Sequence, residues 1–173
     1  LQIRQLRCLV DVQLDLAPGL NLIVGPNGAG KSSIVEAVHL LGYGRSFRGR
    51  VGDGVIRTGA THLEVYAEWL DRNQQTHRAG LRHAGSSWEA RLDGASAPSL
   101  TELCAQIAVV TFEPGSHDLI AGGAEHRRRY LDWGLFHVEP DFLPQWRRYA
   151  RALGAGSRLG LYFPLIPGWR EVG

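Results

Sequence analysis

The residues with the clearest chemistry are Gly25-Pro26-Asn27-Gly28-Ala29-Gly30-Lys31-Ser32, which fit the spacing G-x-x-x-x-G-K-[ST]. Its glycines let the backbone curl until several N–H groups face one anion, and a helix that follows adds the positive end of its dipole. In that arrangement Lys31 reaches the β and γ phosphates of a nucleotide and Ser32 gives its hydroxyl to Mg²⁺. The lysine is singular in this chain. Of the 19 Lys and Arg residues, 18 are Arg and Lys31 is the only Lys. A planar guanidinium is too wide for a slot walled by backbone amides, whereas an ammonium is a compact point charge.

Such a loop needs a strand before it and a helix behind it. Leu20, Leu22, Ile23 and Val24 read as a short buried strand, and Ile34, Ala37, Val38 and Leu41 recur at helical spacing until Gly42 and Gly44 end the pattern. Further upstream, Val10, Val12, Leu14 and Leu16 alternate with polar residues as a half-buried strand that pairs with Leu1 to Cys8, and Ala17-Pro18-Gly19 turns the chain. The expected opening is thus β-β-β-loop-α. Downstream, Leu63, Val65, Ala67 and Trp69 alternate as another strand, weaker strands run over Thr76 to Leu81 and Trp88 to Leu92, and Asp93-Gly94 marks a turn. Ser99 and Glu102 have the spacing of a capping box for a short helix, and Ile107 to Val110 reads as a buried strand. Antiparallel strands after a phosphate-loop helix predict a mixed α/β fold with a β subdomain.

With 173 residues, 44% of them hydrophobic and 21% charged, the chain is long enough for one domain with a real core. A net charge of +2 leaves any nucleic-acid affinity to local Arg clusters. Cys8 and Cys104 give no disulfide framework, no stretch resembles an export signal or a membrane span, and a reduced cytoplasm is the simplest location. The histidines and cysteines lack zinc-ligand spacing, so His39 and His62 read as ordinary surface or core residues.

Two Arg clusters stand out. Arg45-Ser46-Phe47-Arg48-Gly49-Arg50 sets three cations around one aromatic in a glycine-flanked loop, either to grip phosphates or as a solvated connector. Arg127-Arg128-Arg129 lies in a helical pattern after Gly122-Gly123, and three consecutive cations cover more than one helix face, as a solvated surface or as an anion site. Asp141 is placed to cap a last helix whose Phe142, Trp146, Tyr149 and Leu153 form a core-facing stripe. From Gly154 onward the pattern fits neither a helix nor a bounded strand.

Taken together, the loop preceded by Ile3-Arg4-Gln5-Leu6-Arg7, the stretch Gly42-Tyr43-Gly44-Arg45-Ser46-Phe47-Arg48, and the Gly-Gly followed by Arg127-Arg128-Arg129-Tyr130-Leu131-Asp132-Trp133 resemble the N-terminal part of the bacterial RecF recombination and repair family over about residues 1–153. The resemblance implies a P-loop NTPase of ABC-ATPase type, similar to SMC heads, with an antiparallel β subdomain, a helical segment toward the C-terminus and a sheet incomplete without a C-terminal half. It implies ATP and Mg²⁺ as cofactors, with Gly25, Pro26, Asn27, Gly28, Ala29, Gly30, Lys31, Ser32 and Ser33 around the nucleotide and Ser32 on the metal. It further implies an ATP-dependent homodimer that binds single-stranded and gapped duplex DNA. With the RecO and RecR proteins, such a dimer promotes RecA loading in replication-fork repair and the SOS response. Arg45, Arg48, Arg50, Arg127, Arg128 and Arg129 are the DNA-contact candidates. The family carries Phe-Arg where this chain has Leu6-Arg7, and by analogy Arg7 approaches the nucleotide.

The chain departs from the family pattern in lacking a Leu-Ser-x-Gly-Gln signature and an apolar strand ending in Asp-Asp or Asp-Glu, both expected in the C-terminal half. Residues 154–173 then read as a divergent or frameshifted tail, and hydrolysis is expected to be feeble because the metal site lacks its strand-end carboxylate. Two other readings stand beside this one. A small P-loop kinase of a nucleoside or metabolite would be complete at this length, with Arg127 to Arg129 as its lid, but no Asp-x-Asp or Asp-Arg-His grouping supplies its base. Alternatively, the chain has no activity because half its core is missing.

Overall fold

The computed structural model of the protein describes residues 1–48, 54–85, 87–112 and 114–154. They fall into two compact units, Leu1–Val109 and the residues from Val110 onward, where the length alone suggested one domain. Arg50 and, from residue 155, the expected tail lie outside the described residues.

The first unit is an antiparallel sheet of six strands with helices on one face. In chain order the strands are β1 (Gln2–Leu6), β2 (Leu9–Gln13), β3 (Leu63–Leu70), β4 (Thr76–Ala84), β5 (Ser87–Leu92) and β6 (Ala95–Ser96), and across the sheet they run β2-β1-β3-β4-β5-β6. Period-two alternation sorts their side chains. Ile3, Val65, Leu81 and Ala90 are cross-strand neighbours on one face and all buried, with Leu63, Ala79 and His83 beside them. Helices α1 (Lys31–Tyr43) and α2 (Leu100–Gln106) cover this face: α1 touches β1, β3 and β4, and α2 touches β5 and α1. Leu40 and Leu41 of α1 and Leu103 and Cys104 of α2 complete the core.

The opposite face is an ion-pair lattice. Asp11, Arg4, Glu64, Arg82 and Glu89 are successive neighbours across β2, β1, β3, β4 and β5, so charge alternates along the row. Arg4 reaches Asp11 at 3.2 Å and Glu64 at 3.7 Å, Arg82 reaches Glu64 at 3.7 Å and Glu89 at 3.6 Å, and Arg78 meets Glu68 at 2.8 Å. Each exposed pair contributes little by itself, but the alternation fixes register and leaves no like charges opposed.

Several sequence expectations hold. β1, β3, β4, β5 and the turn at Asp93-Gly94, whose Gly94 has φ +86°, lie where alternation and turn chemistry put them, and β2 pairs with β1 as expected but ends at Gln13 and buries Leu9 rather than Val10, which is 50% exposed. Ser99 caps α2, its hydroxyl accepting from the Glu102 amide at 3.4 Å. Others need correction. Residues 14–26 form no strand, and Leu20, Leu22 and Val24 are 95, 82 and 76% exposed, because no described strand runs alongside them to receive their backbone groups. The opening is therefore β-β-loop-α. Residues 107–110 also join no ladder, and Ala108 and Val110 are exposed. Val109 packs instead on Gly42, where a Cβ would stand 2.5 Å from its Cγ2. That contact explains why Gly42 sits inside α1 rather than ending it; Gly44, at φ +61°, is the C-cap.

The second unit is helical: a 3₁₀ turn (Pro114–His117), then α3 (Asp118–Ala121), α4 (Ala124–Val138) and α5 (Phe142–Gly154). On α5 Phe142 and Trp146 are half-buried while Tyr149 is exposed, so its stripe is only partly a core.

Candidate nucleotide-binding site

Helix α1 begins directly at the glycine-rich loop. Gly30 is its N-cap at φ +94°, a left-handed conformation that glycine adopts without a side-chain penalty. A Cβ at Gly30 would also lie 2.5 Å from Leu9 Cδ2 and 3.1 Å from the Cys8 sulfur, so the β1–β2 hairpin and the loop close on each other through the missing side chain. No side chain caps the helix start, and its first turn carries no acidic residue. The positive end of the dipole is left unneutralised, which suits an anion. Lys31 arches back across the loop, its Nζ donating to the Gly25 and Pro26 carbonyls at 2.8 Å each. The Ser32 side chain is exposed, while Ser33 is buried with its hydroxyl 4.0 Å from the Cys8 sulfur.

One turn further along α1, the structure assembles a cluster that motif reading did not find. Glu36 is fully buried (0% exposed). Arg7 grips it as a fork, Nη2 donating to Oε1 at 2.8 Å and Nε to Oε2 at 3.1 Å. The Ser46 hydroxyl donates to Oε1 at 2.5 Å, and Arg48 Nη1 stands 3.7 Å from Oε2. Burial raises the Glu36 pKa, but the Arg7 and Ser46 hydrogen bonds and the charges of Arg7 and Arg48 outweigh it, so the carboxyl sits below its usual range. The sequence did carry a signal. Ser33, Glu36, Ala37 and Leu40 share the buried stripe of α1, and an acid at that position demands buried partners.

The same cluster places two of the expected Arg residues. Arg7 lies at the β1–β2 turn with φ +53°, held by its amide to the Val55 carbonyl at 2.9 Å. Arg48 is 37% exposed, lies over the Phe47 ring at 5.8 Å, and donates its amide to the Ser46 hydroxyl at 2.9 Å. His39 stacks on Tyr43 at 4.2 Å and meets Phe47 edge-on at 5.2 Å, which fastens the segment after Gly44 onto α1. Arg45 is half-buried and its charge reaches His39. In the second unit Arg129 pairs with Glu125 one turn earlier, Arg127 Nη1 donates to the Gly122 carbonyl at 3.0 Å, and Arg128 is exposed beside Asp132. Among the described residues no group of His, Cys, Asp or Glu is arranged to hold a metal ion, and no helix is long and apolar enough to cross a membrane.

Comparison with known proteins agrees with this geometry. The family described as AAA domain matches residues 1–82. The DNA replication and repair protein RecF of Xanthomonas euvesicatoria pv. vesicatoria (strain 85-10) is 61% identical over 157 residues, covering 88% of this chain and 43% of that protein. RecF of Stenotrophomonas maltophilia (strain R551-3) is 60% identical with the same coverage. A solved structure of the recombination mediator protein RecF-ATP in the RecFOR pathway superposes with a TM-score of 0.76 at 24% identity, over 89% of this chain and 42% of that one, which establishes the fold. The mixed α/β architecture with its antiparallel sheet has the fold of that RecF structure over the matched part. The chain spans less than half the length of the curated relatives it matches, and over that stretch it is similar to the N-terminal part of RecF proteins.

Proposed function

We propose that this chain is the nucleotide-binding portion of a RecF-type DNA repair ATPase head acting in the cytoplasm. The observation that carries the reading is the loop itself: an uncapped helix start, glycine-permitted backbone at Gly28 and Gly30, and one lysine poised over the loop carbonyls. The loop amides from Gly28 to Ser32 would surround the β-phosphate of ATP, and Lys31 would exchange its two carbonyl partners for phosphate oxygens. Ser33, buried behind them, supports the loop from the helix side. Mg²⁺ fits at the exposed Ser32 hydroxyl, where it would offset phosphate charge. With no carboxylate cluster among the described residues, its remaining ligands would be phosphate oxygens and water.

Arg45, Arg48 and Arg50 form one candidate DNA contact and Arg127, Arg128 and Arg129 another, on single-stranded and gapped duplex DNA. The outer face of the sheet is the poorer candidate, because its acids and arginines already neutralise one another. In the intact protein this portion would dimerise around ATP and, with RecO and RecR, promote RecA loading at stalled forks and in the SOS response. Residues 1–153 would supply the head and 154–173 a divergent or frameshifted tail. ATP binding without appreciable turnover is the expected behaviour of this chain, since the signature and the strand-end carboxylate are not in its sequence.

Isothermal titration of ATP·Mg²⁺ into the chain and into Lys31→Ala tests the reading. The substitution removes charge-assisted bonds to phosphate and is expected to weaken binding about 100-fold. Equal affinity in the two proteins would remove the loop from the account.

A further inference from the structure

We propose that Glu36 is a positioning residue that couples the nucleotide loop to the Arg45–Arg48 segment. The proposal deepens the reading above and rests on it. The carboxylate gathers three separate pieces of chain: the β1–β2 turn through Arg7, the phosphate-loop helix on which Glu36 itself rides, and the post-helix segment through Ser46 and Arg48. The turn carrying Arg7 is in direct register with the loop, because the next residue, Cys8, lies 4.0 Å from the Ser33 hydroxyl and Leu9 closes on Gly30. On the far side of the carboxylate Arg48 is more than a third exposed, so a cation able to meet a polyanion is aimed by a group that never touches solvent.

The placement of Arg48 supports a task beyond packing. Two guanidiniums share one carboxylate, Arg7 as a fork and Arg48 at 3.7 Å. A purely structural ion pair would be closed off from water; here the Arg48 end of the cluster reaches the surface. Any shift of α1 or of the Arg7 turn on nucleotide binding moves both carboxylate oxygens, and through them Ser46, Arg48 and the Arg48 amide. Glu36 thereby links occupancy of the loop to the geometry of the cationic segment.

Glu36→Gln tests this at nearly constant volume. The amide keeps one oxygen for Arg7 and Ser46 but turns an NH₂ toward guanidinium donors, which opposes donor to donor and releases Arg48. In the full chain without ligand, hydrogen exchange at residues 45–48 is expected to accelerate about tenfold or more, while β3 to β5 keep their protection. ATP·Mg²⁺ affinity is expected to stay within about threefold, because Lys31 and the loop amides are intact, whereas tightening of a gapped DNA duplex by ATP, about tenfold in the parent, falls to none. Ser46→Ala, which leaves the Arg7–Glu36 fork in place, serves if the first variant unfolds, and should give the same changes in weaker form. Unchanged exchange at 45–48, or unchanged coupling, in the folded variant overturns the proposal. A parent that binds no ATP overturns the underlying reading instead, and the two failures are distinguishable because exchange is measured without ligand.

Discussion

His39 shows how much a single position can register. It lies on the inner side of α1, stacked on Tyr43, and its pKa falls to about 4, first because burial disfavours the imidazolium and second because of the Arg45 charge, with Glu36 pulling the other way. Its ordinary value is 6.5, so between pH 6.5 and 4 the unfolded chain takes up a proton that the folded chain refuses. Its contribution to stability is complete above pH 6.5 and declines as pH falls toward 4, by roughly 3 kcal/mol in all. Glu36, whose carboxyl is depressed, extends the loss further down: its share is present above 4.5 and disappears as pH drops through its lowered value. Urea unfolding of the parent and of His39→Phe at a series of pH values checks the assignment. The variant is expected to lose His39's share of the slope below pH 6.5, while His83, whose pKa burial also lowers, keeps its own; an unaltered upper slope would place the titrating group elsewhere. Cys104, by contrast, is silent at all these pH values, since burial pushes its thiol up to about 12.

At the scale of elements, sequence pattern revealed what alternates and missed what needs a neighbour. The strands β1, β3, β4 and β5 were legible because one face is apolar and the other charged, and α1 because its apolar spacing follows a loop that demands a helix. Residues 20–24 and 107–110 misled for a common reason: an apolar run signals that side chains seek burial but says nothing about which strand will meet the backbone. Glu36 was missed because motif reading stops at Ser32, although helical periodicity already put an acid on the buried stripe. The outer sheet face offers a prediction of its own. Glu64 sits between Arg4 and Arg82 at 3.7 Å from each, so Glu64→Lys would line up three cations across β1, β3 and β4. The fold should survive, with a loss of about 1 kcal/mol at ordinary salt, because these pairs are solvent-screened. Nonspecific DNA affinity should rise at low salt, with the salt slope steepening by about two phosphate contacts. If DNA affinity stays level in a filter-binding salt series, the face takes no part in polyanion exclusion and the neutrality argument for the Arg45–Arg48 segment loses its contrast.

At the scale of the whole molecule, the unresolved demand is the apolar stretch before the loop. Leu20, Leu22 and Val24 are exposed, yet they lead directly into the residues proposed to hold phosphate, and their backbone groups have no described ladder to join. The relatives carry more than half of their length outside the stretch they share with this chain. Alone, a bare edge beside an apolar run is a template for pairing with another copy. The chain is therefore expected to self-associate through residues 20–24, and Leu22→Asp should suppress this by placing a charge on the pairing segment, at a site already 82% exposed and so at little cost to the first unit's core. Analytical ultracentrifugation across a concentration series reads the association, and titration with ATP·Mg²⁺ reads the loop. The expected outcome is a monomer with ATP affinity within about threefold of the parent, since the loop's amides, Lys31 and Ser32 are untouched. A variant that still associates would move the sticky surface to another part of the chain. One that becomes monomeric but loses ATP would show that this stretch shapes the loop even before it has a partner strand.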